Sequence, residues 1–178
     1  MAETDPHTAL PLPQFDKPVR LLIAVAPFYR DIANMLLAGA RATLEQVGAA
    51  CDVIEVPGAL ELPTAIGLAH RMSNYDGFVA LGCVIRGETT HYETVCNDSS
   101  RGLTLLGLQG ALIGNGILTV ENRDQAERRA DPADMDKGGG AAAAALHLIA
   151  LARKWGGETK GVGFRPAGSF QIAEDARR

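Results

Sequence analysis

From Val19 onward, short apolar runs of strand length alternate with longer segments whose apolar residues recur at helical spacing, and this alternation limits the fold more than any other feature. Val19 to Ala26, VRLLIAVA, reads as a buried strand. Asp31 to Val47 carries Ile32, Met35, Leu36, Ala40, Leu44 and Val47 as one helical stripe that stops at Gly48. Gly39 inside that stripe costs about 1 kcal/mol against Ala, too little to break it. Asp52 to Val56 is a second strand closed by Pro57-Gly58. Glu61 to Met72 is a helix with Pro63 in its first turn, where a missing donor is harmless. Phe78 to Val84 is the third strand and leads to a helix from Thr90 to about Leu108. Ala111 to Val120 holds a fourth strand, placed at Ile117 to Val120. A short helix spans Arg123 to Ala130 between an Asn122 cap and Asp131-Pro132, and Ala141 to Trp155 is the last helix. Such a pattern predicts an α/β fold with a parallel sheet and helices on both faces.

The expected organisation is a flexible N-terminal extension over 1–18, one domain over 19–155 and a C-terminal tail over 156–178. The tail is rich in Gly and charge and lacks periodicity. Its Phe164 and Phe170 could dock on another subunit, although a disordered tail fits the composition better. A net charge of −4 with no basic stripe argues against nucleic acid as the main partner. No apolar run is long enough for a bilayer, and Met1 to Asp16 lack a basic start and an apolar core, so neither a membrane nor secretion is expected. Cys51, Cys83 and Cys96 form no C-x-x-C pair and read as buried thiols of a cytoplasmic protein.

In parallel sheets ligands gather beyond the carboxyl ends of the strands. The loops at that rim are Pro27-Phe28-Tyr29, Pro57-Gly58-Ala59, Arg86-Gly87-Glu88 and Glu121-Asn122. The third is the most informative. A strand ends at a Gly turn, and Thr90 with Glu93 three residues later has capping-box spacing. Backbone donors and the positive end of a helix suit a phosphate. His91 falls in the first turn, where the dipole suits a neutral ring that can accept a proton. An anion site beside a proton acceptor is what loss of a phosphate leaving group requires. The plain alternative is a solvent-facing histidine on a capped helix. His7, His70 and His147 lack this setting. Glu88 would repel a phosphate unless its side chain turns away. Phe28 or Tyr29 could stack on a planar ring. Arg128 and Arg129 complement the dipole at a helix C-terminus, and Lys137 before three glycines could be a solvated loop lysine.

Three segments, Val-Pro-Gly-Ala-Leu-Glu-Leu-Pro (56–63), Gly-Cys-Val-Ile-Arg-Gly-Glu-Thr-Thr-His-Tyr-Glu (82–93) and Gly-Ile-Leu-Thr-Val-Glu-Asn (116–122), resemble those of the lumazine synthase family in order and spacing. The likeness covers roughly 19–155. It implies a flavodoxin-like three-layer sandwich around a central parallel sheet. It also implies condensation of 5-amino-6-(D-ribitylamino)uracil with 3,4-dihydroxy-2-butanone 4-phosphate to 6,7-dimethyl-8-ribityllumazine, with release of phosphate and water and without metal or organic cofactor. The family's site lies between subunits of a pentamer. By motif, Phe28 resembles the residue that stacks on the pyrimidine, Ala59, Leu60 and Glu61 the segment that meets the ribityl chain, and Val84 and Ile85 the ring pocket. Gly87, Glu88 and Thr89 resemble the phosphate turn, His91 the proton-transfer residue, Arg129 a phosphate-binding arginine from the neighbour, and Lys137 a lysine near the adjacent pyrimidine. Asn115 stands where some members carry an aromatic, which makes that wall polar. Asp131-Pro132-Ala133-Asp134-Met135-Asp136 replaces the Gly- and Lys-rich link of shell-forming members, so a free pentamer or a pair of pentamers is expected. A carrier or sensor that binds a flavin or lumazine without chemistry is the alternative reading.

Overall fold

In the computed structural model, which describes residues 10–157, the strands fall where the apolar runs do. They are β1 (Arg20–Val25), β2 (Ala50–Glu55), β3 (Gly77–Ile85) and β4 (Ile113–Val120). The helices are α1 (Arg30–Gln46), α2 (Glu61–Met72), α3 (His91–Leu108), α4 (Arg123–Ala130) and α5 (Lys137–Gly157). All strand pairs are parallel, in the order β2-β1-β3-β4. Alternate residues of β1 divide the core. Leu21, Ile23 and Val25 pack with Leu36, Leu44, Leu146 and Ile149 from α1 and α5. Leu22 and Ala24 pack with Leu62, Ile66, Val95 and Leu103 from α2 and α3. Two helical layers therefore enclose one sheet, the flavodoxin-like sandwich expected.

Three boundaries differ from expectation by more than two residues, for physical reasons. β4 starts at Ile113 rather than Ile117. Gly114 resembles a break in sequence, but a Cβ there would lie 1.8 Å from the Ala141 carbonyl oxygen, so the residue marks close contact between β4 and α5. α5 starts at Lys137 rather than Ala141 and takes the glycines into its first turns. A Cβ on Gly138 would sit 2.0 Å from the Leu36 carbonyl oxygen, so only hydrogen lets α5 lie against α1. Asp136 accepts from the Gly139 N–H at 2.9 Å and closes that helix end.

The third difference is at the start of the chain. Residues 10–18, expected as part of a flexible extension, are packed: Leu12 and Phe15 lie on the core, and Arg153 of α5 covers the Phe15 ring at 5.4 Å. Arg153 also donates to the carbonyls of Lys17 and Pro18 at 2.9 and 2.8 Å. The expected tail, apart from its first two glycines, and the first nine residues lie outside the described residues. At the amino ends of the strands Asp52 accepts from Tyr75 at 2.8 Å and from Arg20. Those two partners, Tyr75 first, hold its carboxyl below the ordinary aspartate value.

Candidate active site

Three of the four rim loops meet over the carboxyl ends of β1 and β3 and form a cleft of about 410 Å³, a size suited to a small molecule. Ala26, Phe28 and Tyr29 come from the end of β1. Pro57, Gly58, Ala59, Leu60 and Glu61 follow β2. Cys83, Val84 and Ile85 end β3, and Gly87, Thr89, His91, Tyr92 and Val95 carry the wall into α3. Nine expected residues are thus brought together: Phe28, Ala59, Leu60, Glu61, Val84, Ile85, Gly87, Thr89 and His91.

Phe28 is 71% exposed, and its ring meets the edge of Tyr29, with centroids 5.0 Å apart at 73°. A large ring held in solvent at a cleft mouth is available to stack. In the same cleft, Glu61 opens α2 and folds back over Gly58, where a Cβ would come within 2.9 Å of Oε2. The Glu61 and Leu62 N–H groups donate to the carbonyls of Gly58 and Ala59, so part of the helix end is satisfied internally.

At the third loop the expected capping box does not form. Thr90 has helical dihedrals and makes no side-chain cap. The carboxylate of Glu93 is taken by Arg86 Nη1 at 2.5 Å, while the His91 N–H donates to the Thr89 hydroxyl at 3.4 Å. Arg86 also donates from Nε to Glu121 at 2.7 Å and lies over the Tyr92 ring, 4.1 Å from its centroid. The guanidinium holds Glu93 below the ordinary glutamate value. Burial pushes the Tyr92 hydroxyl up. Burial also drives the Cys83 thiol up to about 11, which leaves an uncharged sulfur on the floor of the cleft. The other rim arginines are paired as well: Arg30 with Glu55, and Arg123 with Asp31 and with Glu127 at 2.8 Å.

Four expected residues do not line this cleft. Glu88 belongs to the same turn but stays out of the lining. Asn115 pairs in register with Ala80, five positions before the rim pair Ile85–Val120. At 3.3 Å per residue it stands roughly 16 Å down the edge strand, and its Oδ1 accepts from the Ile117 N–H at 3.0 Å. Arg129 is in the last turn of α4 and donates to the Gln125 carbonyl at 3.3 Å. Lys137 opens α5. Arg128 pairs with Asp134 at 3.1 Å. The fourth rim loop touches the site through Glu121 and its arginine.

Sequence reasoning passed over Tyr92, Val95, Cys83 and Ala26. The signal for the first two was present. Residues 91, 92 and 95 share one face of a helix that starts at the rim. Among the described residues no cluster of His, Cys, Asp or Glu could hold a metal ion, and no helix is long and apolar enough to cross a membrane.

Residues 18–153 match the family model described as 6,7-dimethyl-8-ribityllumazine synthase. Relatives named 6,7-dimethyl-8-ribityllumazine synthase include that of Jannaschia sp. (strain CCS1), 61% identical over 165 residues, covering 93% of each chain. The relative from Novosphingobium aromaticivorans is 55% identical over 76% of this chain and 98% of its own. That from Agrobacterium fabrum is 56% identical over 77% of this chain and 97% of its own.

Proposed function

The chain belongs to the 6,7-dimethyl-8-ribityllumazine synthase family, and from that premise we propose that the cleft at the strand ends is where its reaction takes place. The reaction condenses 5-amino-6-(D-ribitylamino)uracil with 3,4-dihydroxy-2-butanone 4-phosphate to 6,7-dimethyl-8-ribityllumazine, the penultimate step of riboflavin synthesis. The observation that carries the site assignment is the convergence of an exposed aromatic ring, Gly87 and Thr89 of the turn after β3, and a histidine on one 410 Å³ cleft.

Phe28 stacks on the pyrimidine, and Val84 and Ile85 bound it. Ala59, Leu60 and Glu61 meet the ribityl chain. Backbone N–H groups of Gly87, Glu88 and Thr89 receive the phosphate. The 5-amino group first forms an imine with the ketone, and water leaves. His91 then moves the proton whose removal expels phosphate. The ribityl-bearing nitrogen closes the second ring with loss of water. Holding two substrates in one cleft supplies several kcal/mol of the barrier. The chemistry calls for no metal and no organic cofactor. A carrier would need no proton acceptor beside a phosphate turn.

The partner of this site is a second copy of the chain. Arg129, Lys137 and Asn115 stand apart from the cleft of their own chain and reach that of a neighbour in a pentamer, free or paired. Leu68, Met72, Leu105 and Leu108, exposed on α2 and α3, supply apolar surface for assembly. The enzyme works in the cytoplasm. Phosphate release measured with both substrates tests the assignment. His91→Ala should lower kcat on the order of a hundredfold with KM little changed. Arg129→Ala should raise KM for the butanone phosphate selectively. Unchanged turnover in the first variant removes His91 from the mechanism, and an equal loss for both substrates in the second removes Arg129 from the phosphate.

A further inference from the structure

We propose that Arg86 is a positioning residue. Its guanidinium, held between Glu121 and Glu93 and laid on the Tyr92 ring, fixes the first turn of α3 against the end of β4 and so sets where Thr89 and His91 meet the substrates. The proposal rests on the reading of the cleft given above.

Helix α3 needs such a device. Thr90 caps nothing, and the contact between the His91 N–H and the Thr89 hydroxyl is 3.4 Å long. A helix end without a cap leaves backbone donors unmet and frays. Arg86, by contrast, is anchored. Its own N–H donates to the Val120 carbonyl at 2.9 Å, which extends the β3–β4 ladder by one rung. From that fixed base Nε reaches Glu121 beyond β4, and Nη1 reaches Glu93 in α3, 2.7 and 2.5 Å away. The guanidinium carbon lies over the ring of Tyr92, itself part of the cleft wall. Two carboxylates from two elements and one aromatic face are a demand that a planar fork meets and an ammonium does not.

These ion pairs contribute little to global stability, because the side chains are 40–57% exposed. Their effect is geometric. A misplacement of about 1 Å near reacting groups can cost on the order of a hundredfold in rate. Without Arg86, Glu93 and Glu121 would also stand as two uncompensated carboxylates beside the turn that receives a phosphate.

The test compares Arg86→Met, Arg86→Lys and Glu121→Gln in the full-length protein by kcat, KM for each substrate, thermal midpoint and amide exchange. In Arg86→Met the midpoint should fall by less than about 4 °C. Its kcat should drop at least tenfold, and amides 91–94 should exchange at least tenfold faster while those of α5 keep their rates. Arg86→Lys should recover less than a third of the lost kcat, and Glu121→Gln should shift the same readouts in the same direction by less. A kcat within twofold of the parent, unchanged exchange at 91–94, or full rescue by lysine overturns the proposal. So does faster exchange throughout the chain. Should Arg86→Met fail to fold, an unaltered kcat in Glu121→Gln overturns it equally. His91→Ala, measured in parallel, separates the two claims. If that variant keeps its turnover while Arg86→Met loosens α3 and slows the reaction, the role of His91 fails and that of Arg86 stands.

Discussion

Replacing Phe28 by alanine should separate binding from folding. Full burial of a phenylalanine stabilises a protein by about 1.5–3 kcal/mol. With 71% of this residue in water, only the remaining fraction counts, about 0.4–0.9 kcal/mol. The edge contact with Tyr29 adds about 0.5–1 kcal/mol at most. For a chain of 178 residues the thermal midpoint should therefore fall by no more than about 4–8 °C. Binding is another matter. Stacking of a base on an aromatic ring is worth about 1–3 kcal/mol, which raises KM for the pyrimidine substrate roughly 5- to 150-fold. KM for the butanone phosphate should stay within about twofold. Steady-state phosphate release with each substrate varied in turn, beside a melting curve, gives all three quantities. A fold destabilised by more than about 2 kcal/mol with an unaltered pyrimidine KM would show that the ring is a packing residue and refute the assignment.

Gly138→Ala should cost about 1–3 kcal/mol in a urea titration, because its Cβ would meet the Leu36 carbonyl at 2.0 Å. Gly140→Ala, with nothing within 4 Å of the new carbon, should gain roughly 0.5–1 kcal/mol from helix propensity; a shared sign for the two variants contradicts the close-approach argument. Alkylation of Cys83, followed by mass spectrometry, should accelerate with pH without levelling off below about 11; a plateau near pH 9 would mean that the thiol is solvated. Tyr75→Phe removes the main hydrogen bond that depresses Asp52, so its stability deficit should be fully present above the ordinary aspartate value of 3.8. The deficit should disappear as pH falls through the lower folded value, and one that persists in acid would assign the loss to packing.

Much of the layer order was legible, because apolar runs of strand length and stripes at helical spacing survive translation into structure with little shift. α2 begins where Pro63 places it, and α4 begins and ends where Asn122 and Asp131-Pro132 place it. Asn122 accepts from the Gln125 N–H at 3.0 Å, as its position required. What was hidden depended on partners far along the chain. Glu93 has the spacing of a capping residue, yet an arginine seven positions earlier holds it. Gly114 and Gly138 look like interruptions until Ala141 and Leu36 are brought against them. In the cleft, Phe28, the Pro57–Glu61 turn and His91 followed from the rim rule. Tyr92 was readable from its spacing with His91 on one helix face, whereas Cys83 was not, because an apolar run buried on both faces does not say which residues turn toward a cleft.

The glycine-led start of α5 has a consequence for assembly of the chain. A segment that opens Lys-Gly-Gly-Gly has almost no tendency to coil by itself, since each glycine gives up the most backbone freedom. It becomes regular only on a surface already shaped to receive it, and that surface is the back of α1, made some hundred residues earlier. Leu36, Ala40 and Leu44 must therefore wait for α5 to be made before that side of them is covered, which makes α5 the latch on the layer and its absence the surest way to leave that layer open.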